Sequence, residues 1–534
     1  MALPRVYAGR RRAVLLRLLA NGTCQALLAF GVAWGVRETL AAVPSQEVPW
    51  THALALGLAG LLLLALRATE RADAERMGQD FVTSTRVRLL RRIVRRPARS
   101  RSGDRLGLTL TRLTTDLSSL KNWVSQGVAR SAVAAIVLPG GIVALAWFSW
   151  LGAGVGLGLV LVCVASAVAI APSLRDRVRE ARRLRGRLAS HLGEQVRVAD
   201  TTWQFGRVEQ ELRRVRVRSR RLADALVRRM RLAGALRSLP DAAFPLGAAL
   251  LVVLGRGETR EDLLASVLLL GILTSKLRDA VRALDHRLAF AEARARIEQL
   301  LSAPALREVR DAVALEGEGA AALRFEGVCV DGVLEQVDLE ALPGERVFVT
   351  GASGSGKSTL LALAARRFDP DRGSVRLGDA PLASSSLASV RRSVHLVSPA
   401  VPLLRGTVGS NLAYASGGAD PGHVAQVAAF CEIDTESLGL PVGEAGRDVP
   451  DGLRARASLA RALLARARVL LVDDPAFRSD AAAARVLERV LATADATVLV
   501  AASEDASQAG ADRVWELCDG RVRELRPQAA SPAA

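Results

Sequence analysis

The sequence is poor in the residues that build disulfide frameworks and metal sites. Its 534 residues include five cysteines and five histidines. The cysteines lie far apart, with no CxxC pair and no Cys/His spacing. Because paired spacings of that kind mark most disulfide scaffolds and zinc modules, we expect neither in this chain.

Aromatic residues are also scarce, at 4% of the chain, although the formal net charge is +19. A basic balance of this size indicates an anionic neighbour, either a nucleic acid or a membrane surface. Proteins that bind single-stranded nucleic acids interleave aromatic side chains with their charges, because the bases stack on them. A solvated basic face or a nucleic-acid arm remains the alternative, but we expect no nucleic-acid partner.

Half of the residues are hydrophobic, and they gather in apolar stretches near 14–36, 52–66, 131–148, 150–171, 240–255 and 263–275. A membrane-spanning helix needs about 20 apolar residues, so the last two stretches are short and could instead be buried soluble helices. We predict six crossings, because an odd number would place the C-terminal half outside the cell. The first stretch follows a basic start without a clear cleavage site, so we expect an uncleaved helix rather than a signal peptide.

Arginine is concentrated in segments 67–130 and 172–239, whereas 37–51 and 256–262 are near neutral. Cytoplasmic segments of membrane proteins carry such an excess of positive charge, so we place the arginine-rich segments and everything after about residue 278 in the cytoplasm. Their apolar residues recur at helical spacing, which predicts long cytoplasmic extensions of the membrane helices. At RPARSRSGDRLG and ADTTWQFGRVEQE we expect short transverse helices that contact a cytoplasmic domain.

A phosphate-binding motif, GASGSGKST, lies between the predicted strand RVFVT and a helical segment. This strand, loop and helix context makes the GxxxxGK[ST] pattern specific. Its glycines let backbone N–H groups face phosphate oxygens, and its lysine reaches the β- and γ-phosphates of ATP. The residues expected to hold the nucleotide are Gly351, Ala352, Ser353, Gly354, Ser355, Gly356, Lys357, Ser358 and Thr359.

A second predicted strand, VLLVDDP, ends in Asp473 and Asp474. Paired acids at a strand end are often helix caps, but downstream of a phosphate loop they can reach the magnesium shell and the γ-phosphate. We expect Asp473 and Ser358 to bind Mg²⁺, with Asp474 beside the γ-phosphate.

These patterns divide the chain into a membrane domain at 1–301, a linker at 302–320, an ATP-binding domain at 321–526 and a disordered tail at 527–534. The predicted fold class is an α-helical six-span transmembrane domain followed by an α/β P-loop NTPase domain.

Nearly the whole chain resembles the exporter-type half-transporters of the ATP-binding cassette (ABC) family. Further segments that carry the resemblance are LLRGTVGSNL, PVGEAG and ADRVWELCDGRV. The resemblance implies a dimer that sandwiches two ATP molecules, each between the phosphate loop of one subunit and the signature turn of the other. The arginine-rich and alanine-rich composition suggests a bacterial cytoplasmic membrane.

The family's signature turn, LSGGQ, is replaced here by VPDGL at 449–453. Pro450 lacks the serine hydroxyl and a backbone N–H, and Asp451 would bring a carboxylate toward a phosphate. At ~4 Å and an effective dielectric of ~20, like charges repel by about 4 kcal/mol, which outweighs one or two hydrogen bonds of ~1.5–3 kcal/mol. We therefore expect this turn to bind the γ-phosphate of ATP only weakly.

The resemblance also places Pro399 at the family's glutamine, Ser503 at its switch histidine and the shorter Asp474 at its catalytic glutamate. No aromatic residue in VCVDG is available to stack on adenine. Since one acid or base group contributes roughly 10²–10⁴-fold to a rate, we expect the chain alone to bind ATP and hydrolyse it hardly at all.

Two functions fit these features. In the first, the chain is the degenerate subunit of an ATP-driven exporter of an unidentified substrate, in a heterodimer with a competent half-transporter. A homodimer remains the second possible assembly. In the other function, the chain is a non-hydrolysing, ATP-gated membrane regulator or scaffold. A neighbouring reading frame for a half-transporter with a full signature, glutamate and histidine would favour the first.

Overall fold

The computed structural model describes residues 3–42, 50–100, 112–306, 312–416, 420–502 and 510–525. Its internal contacts separate two compact units. The first comprises Met1–Val94 and Gly103–Ala303, and the second comprises Arg95–Ser102 and Pro304–Ala534. The predicted tail at 527–534 lies outside the described residues.

The first unit is built from long helices, which we number in chain order. They are α1 (Arg10–Ala42), α2 (Trp50–Val94), α3 (Thr114–Phe148), α4 (Trp150–Arg197), α5 (Ala199–Gln204), α6 (Val208–Leu254) and α7 (Arg260–Ser302). Among the described residues, α1, α2, α3, α4 and α6 are long and apolar enough to cross a membrane. The sixth predicted crossing, 263–275, lies within α7, so the count of six stays a prediction.

Helices suit this sequence because a backbone surrounded by lipid must satisfy its own hydrogen bonds. The turn between α3 and α4 is fixed by Ser149, whose hydroxyl caps α4 by accepting a hydrogen bond from Gly152 N at 2.7 Å. Trp147 and Trp150 flank this turn and are 71% and 82% exposed. Exposed tryptophans at helix ends are typical of the membrane–water interface, and they set the level of the outer surface.

A buried ion pair joins α2 to α7. Glu70 and Lys276 have side chains only 7% and 6% exposed, and Lys276 Nζ lies 3.0 Å from Glu70 Oε2. The same carboxylate oxygen accepts a hydrogen bond from Gln25 of α1 at 2.7 Å. Because each charge is satisfied, the cluster can remain buried and can fix the registry of three helices.

Both predicted transverse segments contain a short helix. Residues Ala98–Ser100 form a single 3₁₀ turn, and the rest of that segment lies outside the described residues. This turn belongs to the second unit, where Arg99 pairs with Asp371 at 2.7 Å. The other segment forms α5, and its Trp203 and Phe205 are 78% and 71% exposed. Contact of α5 with a partner stays a prediction.

The second unit contains two main sheets. A six-stranded sheet has the order β12-β11-β3-β10-β9-β6, and all of its pairings are parallel except that of β12. An antiparallel sheet has the order β2-β1-β4-β5. The strands are β1 (Leu323–Val330), β2 (Leu334–Ala341), β3 (Arg346–Thr350), β4 (Arg372–Leu377), β5 (Ala380–Pro381), β6 (Val394–Val397), β7 (Gly406–Thr407), β8 (Pro441–Val442), β9 (Val469–Val472), β10 (Thr497–Ala501), β11 (Arg513–Cys518) and β12 (Arg521–Leu525).

Eight helices of the described second unit flank these sheets. They are α8 (Lys357–Ala364), α9 (Leu387–Ser393), α10 (Val408–Ser416), α11 (Pro421–Phe430), α12 (Thr435–Gly439), α13 (Asp451–Leu464), α14 (Ala476–Ser479) and α15 (Ala481–Thr493). The central strands read as near-continuous apolar runs because helices cover both faces of the parallel sheet. The predicted order, a helical membrane part followed by an α/β domain, is confirmed.

The buried ion pair generates a stability prediction. Lys276→Met should destabilise the protein by about 3–5 kcal/mol, because it leaves the Glu70 carboxylate buried without its countercharge. The double variant Glu70→Gln/Lys276→Met should recover most of that loss, since the amide can still accept the hydrogen bond from Gln25.

Thermal unfolding of the detergent-purified chain measures both effects. Arg278→Met is the matched control, because it lies on the same helix in a half-exposed pair with Asp241. Such pairs contribute about 0–1 kcal/mol. A double variant no more stable than Lys276→Met would contradict this account of the pair.

Candidate nucleotide-binding site

The phosphate loop connects β3 to α8 and depends on glycine for its shape. Gly351, Gly354 and Gly356 have φ angles of +132°, +88° and +110°. At Gly351 an added Cβ would also collide with the carbonyl oxygen of Leu517 at the end of β11. The loop can therefore curl tightly only with these residues, which turns its N–H groups toward one concave side.

Lys357 begins α8 and folds back along the loop. Its Nζ donates hydrogen bonds to the carbonyl oxygens of Gly351 and, at 2.8 Å, Ala352. A phosphate oxygen in the loop can take over these bonds. Ser355 Oγ is buried and, among the described residues, has no hydrogen-bond partner. A bound phosphate can satisfy this hydroxyl as well, so the loop fits the polyphosphate predicted from the sequence.

The structure brings together Ser358, at the start of α8, and Asp473, just after β9. The Ser358 hydroxyl hydrogen-bonds to the Asp473 carboxylate, which follows β9. Burial raises the pKa of Asp473, and the neighbouring Asp474 adds to this, although Ser358 and Lys357 act in the opposite direction. A hydroxyl and a carboxylate that share one site are hard oxygen donors, which suit Mg²⁺. This donor set fits the predicted metal site.

Asp474 performs a structural task that the sequence left as an alternative. Its side chain is buried, and its Oδ1 accepts a hydrogen bond from Ala476 N at 3.0 Å. This bond closes a turn at the start of the single-turn helix α14, whose N-cap residue is Pro475. The carboxylate is therefore already engaged with its own backbone, in addition to being one methylene shorter than a glutamate.

The VPDGL segment forms the start of α13. Pro450 occupies the N-cap position of this helix and provides no side-chain cap. Asp451 is 75% exposed at its side chain and pairs with Arg454 at 2.6 Å. This ion pair offsets the carboxylate charge, so the repulsion of about 4 kcal/mol expected from an isolated Asp451 is an overestimate. The missing hydroxyl at Pro450 remains.

Of the two other positions identified in the sequence, Pro399 and Ser503, the structure describes Pro399. Pro399 follows β6, beside Ser398, whose hydroxyl accepts a hydrogen bond from Ala400 N at 3.3 Å. Ser503 lies outside the described residues. The segment without an aromatic residue, VCVDG, ends beside Val333, whose side chain lies within van der Waals reach of the loop at Gly356.

Sequence reasoning missed the residues that shape the site from outside the motifs. The Leu517 carbonyl restricts Gly351, and the Asp480 carboxylate lies so close to Gly452 that a Cβ there would collide with it. Asp480 also caps α15 through Ala483 N at 2.7 Å. The position of Asp480 before a run of alanines is typical of a helix N-cap and could have been predicted. The contact of a backbone carbonyl from another strand could not, because it does not depend on residue type.

Two family models match the chain. Residues 334–477 match the model described as ABC transporter, and residues 45–274 match the one described as ABC transporter transmembrane region. Together they account for the ATP-binding part and most of the helical part.

Similar proteins include transporters of two named kinds. A multidrug efflux ATP-binding/permease protein of Mycobacterium bovis is 37% identical over 201 residues, which are 36% of this chain and 17% of that protein. An ATP-dependent lipid A-core flippase of Chromobacterium violaceum is 34% identical over 199 residues, which are 36% of this chain and 34% of that protein. Each match thus spans well under two thirds of the relative's own length.

A solved structure of a bacterial Atm1-family ABC exporter with ATP bound is similar in fold. It has a TM-score of 0.83 and 22% sequence identity, and the match covers 96% of each chain. At this level of identity the likeness shows the fold alone.

The loop geometry predicts a loss of nucleotide binding in Lys357→Ala. Without the ammonium group, Mg-ATP affinity should fall at least a hundredfold, because charge-assisted hydrogen bonds to the phosphates disappear. Equilibrium binding of fluorescent ATP to the purified chain measures this. Arg392→Ala is the matched control, since it removes one exposed positive charge before β6, at the opposite edge of the sheet. Equal losses in both variants would show that general charge, not the loop, holds the nucleotide.

Proposed function

Because the chain belongs to the ABC transporters, as a half-transporter of the exporter type, we propose that it is the ATP-holding subunit of a heterodimeric exporter. The chain resides in the cytoplasmic membrane with its ATPase domain on the cytoplasmic side. The observation that carries the proposal is the contrast between a complete phosphate loop and a buried Asp474 whose carboxylate is bonded to Ala476 N of α14. Export itself, the partner and the cargo are parts of the proposal.

The groups that bind the phosphates of ATP are retained. Phosphate binding relies on backbone N–H groups, a helix N-terminus and one ammonium group, and all three are present around Lys357. The pair of Ser358 and Asp473 adds the oxygen donors for Mg²⁺. Bound Mg²⁺ would neutralise phosphate charge there, and this chain's part is to orient the nucleotide. We therefore propose tight binding of Mg-ATP.

The hydrolytic half of the site lacks its side chains. A general base must lie within hydrogen-bond reach of the attacking water. Asp474 is shorter than the family's glutamate, and its Oδ1 is held by Ala476 N. Ser503 offers no imidazole at the switch position. ATP bound here should therefore persist through several cycles of the exporter.

The partner would complete two unlike pockets. This chain's loop would face the partner's full signature, and the partner's loop would face Pro450 and Asp451 here. The second pocket keeps the partner's catalytic groups. It loses only part of the free energy of closing around ATP, and that loss is small because Arg454 offsets the charge of Asp451. The first lacks catalytic groups outright. Turnover should therefore arise in the partner's pocket, while this chain's pocket keeps the dimer assembled.

This assignment predicts how paired variants behave. In the co-purified heterodimer, replacement of the partner's catalytic glutamate by glutamine should reduce ATP hydrolysis at least a hundredfold. Asp474→Asn should leave hydrolysis within about twofold, because its Oδ1 can still accept the hydrogen bond from Ala476 N. Steady-state phosphate release measures both.

Asp474→Ala is the structural control, since it removes the hydrogen bond to Ala476 N at a cost of about 1 kcal/mol. Arrest by Asp474→Asn with no effect of the partner's variant would reverse the assignment of the two sites. Absence of hydrolysis with every candidate partner would favour the ATP-gated regulator instead.

A further inference from the structure

A groove of about 470 Å³ lies between α4 and α7, away from the nucleotide site. Its walls are apolar and come from small and aliphatic side chains along one face of each helix. Those that matter here are Cys163, Ala167 and Ala171 of α4, and Leu277, Ala280 and Leu284 of α7. Two further lining residues, Arg175 and Arg287, are the exception to this apolar character.

Both arginines lie at the same end of the groove. Cys163 and Leu277 pack in one buried cluster. Arg175 follows Cys163 by twelve residues, and Arg287 follows Leu277 by ten. At 1.5 Å per residue, the arginines are about 18 Å and 15 Å beyond that cluster. The groove is therefore apolar along most of its length and carries two positive charges at one end.

Its depth in the membrane follows from the helix geometry. Arg175 lies 25 residues after the interfacial Trp150, which corresponds to about 38 Å along α4. The hydrocarbon core is about 30 Å thick, and about 40–45 Å with the headgroup regions. Arg175 therefore reaches the headgroup level of the cytoplasmic leaflet, while Cys163, about 20 Å from Trp150, lies in the inner half of the core.

Among the described residues, Arg175 and Arg287 have no ion pair or hydrogen-bond partner, and both are exposed. Their neighbours differ, since Arg177 pairs with Glu180 at 3.2 Å and Arg179 pairs with Glu292 at 3.0 Å. Asp176 and Arg282 also have no partner among the described residues, but they do not line the groove, so its two charged side chains are Arg175 and Arg287.

We propose that this groove binds an anionic phospholipid of the cytoplasmic leaflet. The lipid phosphate lies between Arg175 and Arg287, and an acyl chain covers Ala167, Ala171 and Ala280. Basic pockets between membrane helices on the cytoplasmic side are suited to anionic headgroups, because the arginines extend to the interface while their stems stay in apolar surroundings. A soluble anion would leave the apolar walls of the groove exposed. A zwitterionic lipid would cover those walls but would not neutralise the two arginines.

The test is native mass spectrometry of the delipidated full chain. Dioleoyl-phosphatidylglycerol and dioleoyl-phosphatidylcholine share their acyl chains, so they differ only in headgroup. The wild-type chain should retain the anionic lipid at least tenfold more than the zwitterionic one. Arg175→Gln/Arg287→Gln should reduce this preference to near parity. Ala167→Trp, which fills the groove, should reduce retention of the anionic lipid by itself.

Arg183→Gln/Arg185→Gln is the matched control, because it removes two exposed charges from the same helix outside the groove. It should keep the tenfold preference. Three results would overturn the proposal: equal retention of both lipids by the wild-type chain, loss of preference in the control, or displacement of the lipid by glycerol phosphate alone. Disulfide cross-linking of Ala280→Cys to a second subunit would also overturn it, by identifying the groove as a subunit interface.

Discussion

Parallel pairing of β3, β10 and β9 is the constraint on which the nucleotide site depends. Val349 pairs with Ala501, and Val500 pairs with Val472. This registry brings the phosphate loop after β3 and Asp473 after β9 to the same edge of the sheet, where Ser358 and Asp473 form their hydrogen bond. A slip of one residue would shift a strand end by about 3.3 Å and turn its side chains to the opposite face, which would separate the two groups.

The groups at this edge also explain how a chain could bind ATP without hydrolysing it. Binding depends on backbone groups whose geometry is fixed by glycine and by the Leu517 carbonyl, and these remain intact. Hydrolysis depends on single side chains, each of which can be replaced without disturbing the sheet. Asp474 illustrates this, because its carboxylate stabilises the start of α14 by accepting a hydrogen bond from Ala476 N. Under the proposed function, loss of hydrolytic side chains would therefore leave the fold intact.

The sequence predicted the features that local chemistry determines. The phosphate loop, the acids after β9 and the long arginine-rich helices follow from motif spacing, strand patterns and charge asymmetry. The bond of Asp474 to Ala476 N was left only as an alternative, and the ion pair of Asp451 with Arg454 and the groove between α4 and α7 did not follow from the sequence. The first two needed side-chain directions that identical sequence patterns leave open. The groove needed two helix faces separated by more than a hundred residues, and neither face alone is distinctive.

The central claim, that this chain holds ATP without consuming it, can be measured on the purified chain. The chain is loaded with labelled Mg-ATP, washed free of unbound nucleotide, and the bound label is then separated into ATP and ADP over an hour. Since transport ATPases with ordinary turnover numbers of about 1 s⁻¹ or more would convert it within seconds, the account predicts that the label remains ATP. Rapid conversion to ADP, absent in Lys357→Ala, would contradict it.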